Sequence, residues 1–409
     1  MTDNQKIFPL EGVIQHYAWG GFDFIPQLIR QKNPAKEPFA ELWMGVHHRG
    51  PARVKNGNQW LPLEQLIAEQ PEEVIGLATH QHFGAQLPYL FKVLDVRQML
   101  SIQAHPSKER AEAGFLQENN QGIPLNAPYR TYKDTNHKPE IMVALTKFWL
   151  LHGFLPIKKL AKQLSLVPEL AAVHQYFKQH GQDIQSLYQW AMEMHQAEID
   201  AILIPLRERL AIPYKNGEFN KNQPEFWAAR AFSQFHPLQG ECDRGILSIF
   251  LMNIVKILPG QGIYQDAGVL HAYLKGVNVE LMASSDNVFR GGLTVKHVNV
   301  PELMKNISFS PIIPNILLGD QTIPGITTYS TPAPDFELSC LQIFPDEPND
   351  PIHTQSPEIL IVTEGEALID HTLHRKRGEC FFVPANTDYE ITSEEGAVLF
   401  RAGVPNLDA

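Results

Sequence analysis

The pattern of apolar residues predicts β-strands in both halves of the chain and helices in a segment between them. Apolar runs with the length of buried strands occur at 87–94, 141–145, 246–258 and 359–362. Between about 155 and 235 the apolar residues recur instead at helical spacing. Pro205 lies within that helical pattern, where a proline should kink or break a helix. The pattern therefore predicts a mainly β protein with a helical insertion.

Short strands separated by glycine turns continue to the C-terminus, as in GECFFVP at 378–384. Such turns are typical of small jelly-roll barrels, and this segment resembles half of a cupin. We predict two cupin-like jelly-roll barrels plus an α-helical subdomain. The predicted units are a discontinuous catalytic barrel at 1–154 and 236–312, the helical insertion at 155–235 and a second barrel at 313–409.

The second predicted barrel contains three histidines, His353, His371 and His374. None has a carboxylate beside it in strand register. We therefore expect no metal site in this unit. Elsewhere, His47 and His48 are adjacent, and adjacent residues of a strand point to opposite faces, so this pair is not an obvious chelator either.

Length and charge limit the classes of function. The chain has 409 residues, enough for two or three packed units. Its formal net charge of −11 argues against general binding to nucleic acid or to an anionic membrane, although a local basic pocket could still bind a small anion. Cys242, Cys340 and Cys380 lie far apart, which favours buried thiols over disulfides. The N-terminus contains no apolar leader segment, so we expect a cytoplasmic protein. We also expect the protein to be a monomer.

Residues that can bind a metal occur where predicted strands begin or end. Gln103 and His105 in LSIQAHP alternate along an extended segment, so both side chains point the same way. Glu140 enters a strand from a loop, and His271 lies in a third apolar segment that a jelly-roll barrel could bring close. Zinc readily accepts imidazole and carboxylate ligands, and an amide oxygen is a workable addition. Because only one of these ligands is anionic, the site could stabilise a developing oxyanion.

Other charged residues near these segments have two possible roles each. Lys138 shares the strand face of Glu140 or is solvated. Glu280 is either a buried proton carrier or the partner of a nearby cation. Arg290 could fold over the metal site or pair with Asp286. Cations available for a phosphate are Lys108, Arg110, Lys133 and Lys296.

Several long motifs, taken together, carry a family resemblance. They are SIQAHP, YKDTNHKPEI, GVLHAYL and ASSDNVFRGGLTVKHVNVPEL, preceded by the N-terminal WGG and AELWMG. From about residue 7 to 310 the chain resembles type I phosphomannose isomerase. The resemblance implies one zinc ion per chain and interconversion of mannose 6-phosphate with fructose 6-phosphate through a cis-enediol, feeding mannose and GDP-mannose metabolism.

The resemblance also implies roles for individual residues. The zinc ligands would be Gln103, His105, Glu140 and His271. The catalytic residues would be Arg290, Glu280 and Lys138, with Glu280 the first candidate for the proton-transferring base. The substrate-binding residues would be Trp19, Lys133, Asp286 and Lys296.

One loop departs from the family pattern, which usually reads RAGLTPK. Here Gly291 and Gly292 stand for Ala-Gly, and Val295 replaces the proline. Arg290, Thr294 and Lys296 are kept, so the departure concerns the rigidity of the loop rather than its chemistry.

The sequence leaves two other functions open. A metal-dependent cupin oxygenase would contain iron and consume oxygen. A non-catalytic cupin would bind the sugar phosphate without turnover. Zinc content and isomerase turnover distinguish the isomerase from both.

Overall fold

A computed structural model describes residues 6–235, 240–345 and 351–407, and within them the chain is mainly β with a block of helices. The strands of the first half are β1 (Phe8–Glu11), β2 (Val13–Gln15), β3 (Glu41–Gly45), β4 (Arg53–Asn56), β5 (Gln59–Pro62), β6 (Tyr89–Val96), β7 (Ile102–Ala104), β8 (Glu140–Ala144) and β9 (Phe148–Phe154). Those of the second half are β10 (Met252–Ile257), β11 (Gly262–Gln265), β12 (His271–Ala283), β13 (Phe289–Gly292), β14 (Asp320–Ile323), β15 (Ile326–Tyr329), β16 (Glu337–Ile343), β17 (Ile352–His353), β18 (Glu358–Ile369), β19 (Leu373–Lys376), β20 (Cys380–Val383), β21 (Asp388–Tyr389), β22 (Ile391–Thr392) and β23 (Ala397–Gly403).

The helices concentrate in the middle of the chain, as the apolar spacing predicts. They are α1 (Phe24–Leu28), α2 (Leu63–Glu69), α3 (Pro71–Ile75), α4 (Leu77–Phe83), α5 (Lys108–Asn120), α6 (Ile157–Ser165), α7 (Ala171–Gln179), α8 (Ile184–Glu193), α9 (Gln196–Lys215), α10 (Pro224–Gln234), α11 (Gly245–Leu251) and α12 (Val300–Asn306). In the described ranges, none of these helices is long and apolar enough to cross a membrane.

Strand β12 organises the sheet that carries the metal-ligand candidates. The order of this sheet is β10-β9-β12-β6-β3-β2, with β7, β8, β11 and β13 attached beside it. The first part of β12 pairs with β7 and β9, and its second part pairs with β6 and β8. The change of partner falls near Gly276, whose φ is 136° and where a Cβ would lie 2.9 Å from the carbonyl oxygen of Lys147. One long strand therefore carries two of the predicted site residues, His271 near one end and Glu280 near the other.

The second large sheet combines the two ends of the chain. Its order is β14-β15-β16-β23-β18-β20-β1-β4-β5, so the N-terminal strand β1 pairs with β20. Burial of apolar side chains from both ends forms one core, which includes Phe8, Val54, Ile361 and Phe382. The division into units at 1–154 with 236–312, 155–235 and 313–409 stays a prediction. Its boundary at 236 lies outside the described residues.

Two helices extend where the sequence pattern predicted otherwise. Residues 246–258 were expected to form a strand, but α11 occupies Gly245–Leu251 and only Met252–Ile257 is a strand. Every residue of α11 is buried, including its one polar residue, Ser248, so the segment has no alternation of buried and exposed positions that separates helix from strand. The polar composition of residues 114–126 predicts a loop there, yet α5 continues to Asn120. At Gly114, a Cβ would clash with the ring of Tyr132, so the glycine allows close packing inside the helix.

Helix α9 passes through Pro205 without the predicted break. The helix also contains Pro213 and still runs without interruption from Gln196 to Lys215. Leu203 and Leu206, on either side of Pro205, are fully buried in the helical core. Tertiary packing therefore compensates for the backbone hydrogen bond that the proline removes.

The histidines of the second unit do have carboxylate neighbours. The ion pairs are His353 with Asp388 at 2.7 Å, His371 with Glu390 at 3.4 Å and His374 with Glu366 at 3.4 Å. The reason given for expecting no metal there was therefore wrong.

The prediction of free thiols rather than disulfides is confirmed for all three cysteines. Cys242 and Cys380 are also buried, as predicted.

Candidate active site

Three strands bring the predicted metal ligands together. Glu140 is the first residue of β8 and His271 the first of β12, while His105 follows directly after β7. Gln103 on β7 lies opposite His271 on one side and opposite Arg290 of β13 on the other. Residues directly opposite each other on paired strands have neighbouring side chains. The short strand β7 therefore sets the positions of four of the predicted site residues.

The two histidines point their Nε2 atoms at the two oxygens of one carboxylate. Nε2 of His105 lies 3.3 Å from Oε1 of Glu140, and Nε2 of His271 lies 3.4 Å from Oε2. On the other side of each ring, Nδ1 lies 2.7 Å from the carbonyl oxygen of Asn287 for His105 and 2.9 Å from that of Val269 for His271. A carbonyl only accepts hydrogen bonds, so each Nδ1 carries the proton and each Nε2 presents a lone pair.

This arrangement fits a cation. Nε2 of both histidines and Oε2 of Glu140 are buried and have no hydrogen-bond partner in the described part of the chain. Burial, followed by the charge of Lys138, lowers the pKa of His105 to about 4, so the imidazole is neutral. Burial alone would raise the pKa of Glu140, but the neighbouring charge of Lys138 holds it well below its usual range. Two imidazoles that point Nε2 at one carboxylate, with ligand atoms within 4.8 Å of one another, form a donor set that zinc accepts.

A cavity of about 520 Å³ lies beside this group. Its charged lining is mostly cationic. Lys138 lines the cavity and also contacts the metal-ligand group, because its Nζ lies 3.0 Å from Oε1 of Glu140. The lining residues that can bind an anion or a sugar hydroxyl are Tyr17, Glu41, His47, His48, Arg49, Lys92, Asn126, Lys133, Lys138, Ser285, Asp286, Arg290 and Lys296.

A buried ion pair lies between the cavity and the metal-ligand group. Nζ of Lys92 lies 3.3 Å from Oε1 of Glu280 and 3.6 Å from Oε2 of Glu41. Burial would lower the pKa of Lys92, but the two carboxylates raise it, so the lysine stays charged. Burial and the nearby charge of Glu140 raise the pKa of Glu280, while Lys92 opposes them. Glu280 is thus a carboxylate whose environment favours proton exchange.

Asp286 pairs with the N-terminal part of the chain rather than with Arg290. Its carboxylate accepts a hydrogen bond from Arg49 and lies 3.3 Å from Nε2 of His47. Burial would raise its pKa, but His47 and Arg49 lower it strongly, so Asp286 is ionised. His47 and His48 both approach Asp286, and the centres of their stacked rings lie 4.5 Å apart. The expectation that these histidines point apart was wrong because they follow the end of β3 instead of lying in it.

The remaining predicted residues fall into two groups. Arg290, Lys133 and Lys296 line the cavity, and among the described residues neither Arg290 nor Lys296 has a carboxylate partner. Trp19 does not line it; the indole packs against a separate apolar core cluster, while Tyr17 lies at the cavity. Lys108 also lies away from this cavity, where it donates to Oδ1 of Asn136.

Sequence reasoning missed Lys92, Glu41 and Arg49. A signal existed for two of them. Lys92 is a single charge inside the apolar run at 87–94, and Glu41 likewise precedes the apolar residues of β3. A charge inside an otherwise buried strand must be paired, so each predicted an ionic partner. Arg49 follows β3 in a polar loop and carried no such signal.

Comparisons with known proteins agree with this geometry. Residues 7–157 match the model of the family described as phosphomannose isomerase type I, catalytic domain. The mannose-6-phosphate isomerase of Shigella flexneri is 36% identical over 384 residues, which cover 91% of this chain and 93% of that protein. The mannose-6-phosphate isomerase of Mus musculus is 33% identical over 431 residues, with 97% of this chain and 98% of that protein covered.

Solved structures show the same architecture. A crystal structure of mannose 6-phosphate isomerase from Salmonella typhimurium, bound to substrate and to zinc, superposes with a TM-score of 0.87 at 32% identity, covering 98% of this chain and 100% of that one. A second structure, with zinc and yttrium bound, has a TM-score of 0.87 at 31% identity and the same coverage.

Fold and site together define a metal-binding isomerase of mainly β, cupin-like architecture with a helical insertion. The sequence similarity extends over nearly the whole chain. The chain belongs to the type I phosphomannose isomerase family.

Proposed function

We propose that this protein is a zinc-dependent isomerase that interconverts mannose 6-phosphate and fructose 6-phosphate through a cis-enediol and so supplies mannose 6-phosphate for GDP-mannose synthesis. The proposal rests on the position of Lys138, whose ammonium group contacts Glu140 and also lines the cationic cavity. A metal-binding group and an anion-binding cavity are thereby adjacent. That it acts as a cytoplasmic monomer stays a prediction from the sequence.

The donor set for zinc is His105, Glu140 and His271, with Gln103 as the proposed fourth ligand. The two Nε2 lone pairs and the Glu140 carboxylate support the first three. Gln103 is supported by its position opposite His271. When bound, zinc would supply positive charge that stabilises negative charge on the sugar oxygens at C1 and C2.

The phosphate group needs cations that are not already paired. Arg290 and Lys296 meet this condition within the described residues, and the hydrogen bonds of the Lys133 ammonium group go to the carbonyl oxygens of Leu125 and Ala127. By contrast, Arg49 is held by Asp286. We therefore assign phosphate binding to Lys133 and Lys296, keep Arg290 for the reacting end of the sugar, and assign to Asp286 the task of keeping Arg49 at the cavity wall.

Proton transfer between C2 and C1 requires one base close to both carbons. Glu280 is our first candidate, because burial and Glu140 raise its pKa and Lys92 holds its carboxylate in place. Lys138 is the second candidate, since it lines the cavity directly, but it could act as the base only after its ammonium group had given up a proton. In either case the base removes the C2 proton of the open-chain aldose and returns it to C1 of the enediol, and we assign to Arg290 the stabilisation of negative charge on the sugar.

A coupled assay of fructose 6-phosphate formation, with and without a chelator, tests the proposal. We expect turnover by the zinc-loaded protein, loss with chelator and recovery with added zinc. Lack of turnover by the zinc-loaded protein would refute the isomerase activity. Turnover unaffected by the double substitution Gln103→Ala and His105→Ala would refute the site. Oxygen uptake by an iron-loaded sample would favour an oxygenase, and binding of mannose 6-phosphate without turnover would favour a non-catalytic cupin.

A further inference from the structure

Gln265 is a fully buried amide for which the proposed reaction has no use. It ends β11 and lies directly opposite Glu140 on β8, so the two side chains leave the same face of the sheet. None of its surface is exposed to solvent. Neither its Nε2 nor its Oε1 has a hydrogen-bond partner among the residues that the structure describes. Because an unsatisfied buried amide is costly, this side chain needs a polar partner.

The hydroxyl of Tyr273 lies in the same place and has the same need. Tyr273 follows His271 by two residues on β12 and is 2% exposed. Its hydroxyl is close enough to the carboxyl of Glu280 and the amide of Gln265 for both to affect its pKa, which burial raises well above the usual range. Even so, no atom of the described neighbours meets it with the geometry of a hydrogen bond.

A third residue contributes another unpartnered atom to this region. Oε2 of Glu140 is buried and has no hydrogen-bond donor within the described ranges. Gln265 and Glu140 are thus paired across two strands, and the hydroxyl of Tyr273 on a third strand is close enough to both side chains to be affected by them. Buried polar groups of this kind commonly share a water molecule, which makes about three hydrogen bonds.

We propose that Gln265 and Tyr273 hold a buried water molecule that hydrogen bonds to the carboxylate of Glu140, so that Gln265 is a positioning residue for the metal-ligand group. The amide can donate to the water or accept from it, which a leucine or methionine at this position could not do. The inference rests on the proposed function only in taking Glu140 as a zinc ligand. Polar support of a ligand typically changes metal affinity by about 10–100-fold.

The zinc affinity of the purified full-length protein, measured by competition with a chromogenic chelator, tests this inference. Gln265→Met keeps the length of the side chain and removes both polar atoms, and we expect it to weaken zinc binding about tenfold. The matched control is Ile263→Val, on the same face of β11 and also buried, but without a polar group. We expect this control to bind zinc as the unsubstituted protein does.

Two results would overturn the inference. One is a zinc affinity of Gln265→Met equal to that of Ile263→Val. The other is a crystal structure of the zinc-loaded protein in which no water lies within hydrogen-bond distance of the Gln265 amide. If Gln265→Met does not fold, as judged by circular dichroism, Tyr273→Phe takes its place: a smaller loss of zinc affinity supports the shared water, and an unchanged affinity refutes it. Zinc affinity is independent of turnover, so a failure of the isomerase proposal would be seen separately in the coupled assay.

Discussion

Nζ of Lys138 lies 3.0 Å from Oε1 of Glu140, and both side chains are almost completely buried. The lysine therefore neutralises a carboxylate that would otherwise be an isolated charge in the protein interior. The same side chain lines the cavity, so it lies between the metal-ligand group and the proposed substrate. Removal of its charge should therefore lower both the stability of the metal-free protein and the turnover of the zinc-loaded protein.

We expect Lys138→Met to destabilise the metal-free protein by about 3–5 kcal/mol, because Glu140 loses its buried partner. Zinc should restore most of this stability, since it replaces the missing positive charge. Turnover should fall by about 100-fold or more even with zinc bound, if Lys138 assists proton transfer. Thermal unfolding with and without chelator, together with the coupled assay, measures these effects.

The control for this substitution is Lys305→Met, which breaks an exposed ion pair with Glu302. An exposed pair contributes about 1 kcal/mol or less, so this variant should behave like the unsubstituted protein. Equal stability of metal-free Lys138→Met and metal-free Lys305→Met would contradict the role assigned to Lys138.

Gln103 is the proposed ligand whose charge can be changed with the least change of shape. Gln103→Glu adds a second carboxylate beside Glu140, which reduces the net positive charge of the zinc site. We expect zinc to be retained and turnover to fall by roughly 10–100-fold, a range typical of altered metal sites. Metal analysis and the coupled assay check both parts. Loss of zinc from this variant would indicate that Gln103 acts through geometry rather than charge.

Lys296 tests the assignment of the phosphate site. It lines the cavity next to Arg290 and has no described carboxylate partner. Lys296→Met should raise KM for mannose 6-phosphate about tenfold and change kcat little, because a phosphate contact distant from the reacting carbons is made equally in ground and transition states. Lys305→Met again serves as the control. A fall in kcat at unchanged KM would instead assign Lys296 to the reaction itself.

The sequence identified the metal-ligand candidates because their signals are local. Gln103 and His105 alternate along one strand, and Glu140 begins another. The pairing of Lys92 with Glu41 and Glu280 could not be predicted in the same way, because it depends on the order of β3, β6 and β12 in the sheet. The helix α11 was missed for a different reason: all of its residues are buried, Ser248 included, so it lacks the exposed positions from which helical periodicity is recognised.

Gly291, which lies in strand β13, allows a test of the segment that departs from the family pattern. A Cβ at this position would lie 2.9 Å from the hydroxyl of Tyr188 and 3.1 Å from Cγ2 of Ile102. We therefore expect Gly291→Ala, which restores the usual family residue, to destabilise the protein by about 1 kcal/mol through overpacking. Adding Tyr188→Phe removes the atom in conflict and should recover much of that loss. Chemical denaturation of the single and double variants measures the coupling, and strictly additive effects would contradict this contact.

Asp95 predicts a pH dependence of stability that is separate from the active site. The residue is 9% exposed, and burial raises the pKa of its carboxyl from 3.8 to about 6, although the backbone amide of Phe24 donates to it. Because the folded protein holds this proton more tightly than the unfolded chain, the contribution of Asp95 to stability is greatest below about pH 4. It decreases as the pH rises through 6, by at most about 3 kcal/mol.

Asp95→Asn should remove this dependence, since the amide oxygen can still accept from Phe24 but carries no charge. We expect the variant to be more stable than the unsubstituted protein at pH 7, by about 1–3 kcal/mol, and the difference to shrink as the pH falls to about 4. Urea unfolding at several pH values across this range measures it. Asp320→Asn, on an edge strand far along the chain, controls for the loss of one negative charge. A difference between Asp95→Asn and this control that stays constant across the pH range would show that Asp95 is ionised without cost in the folded protein.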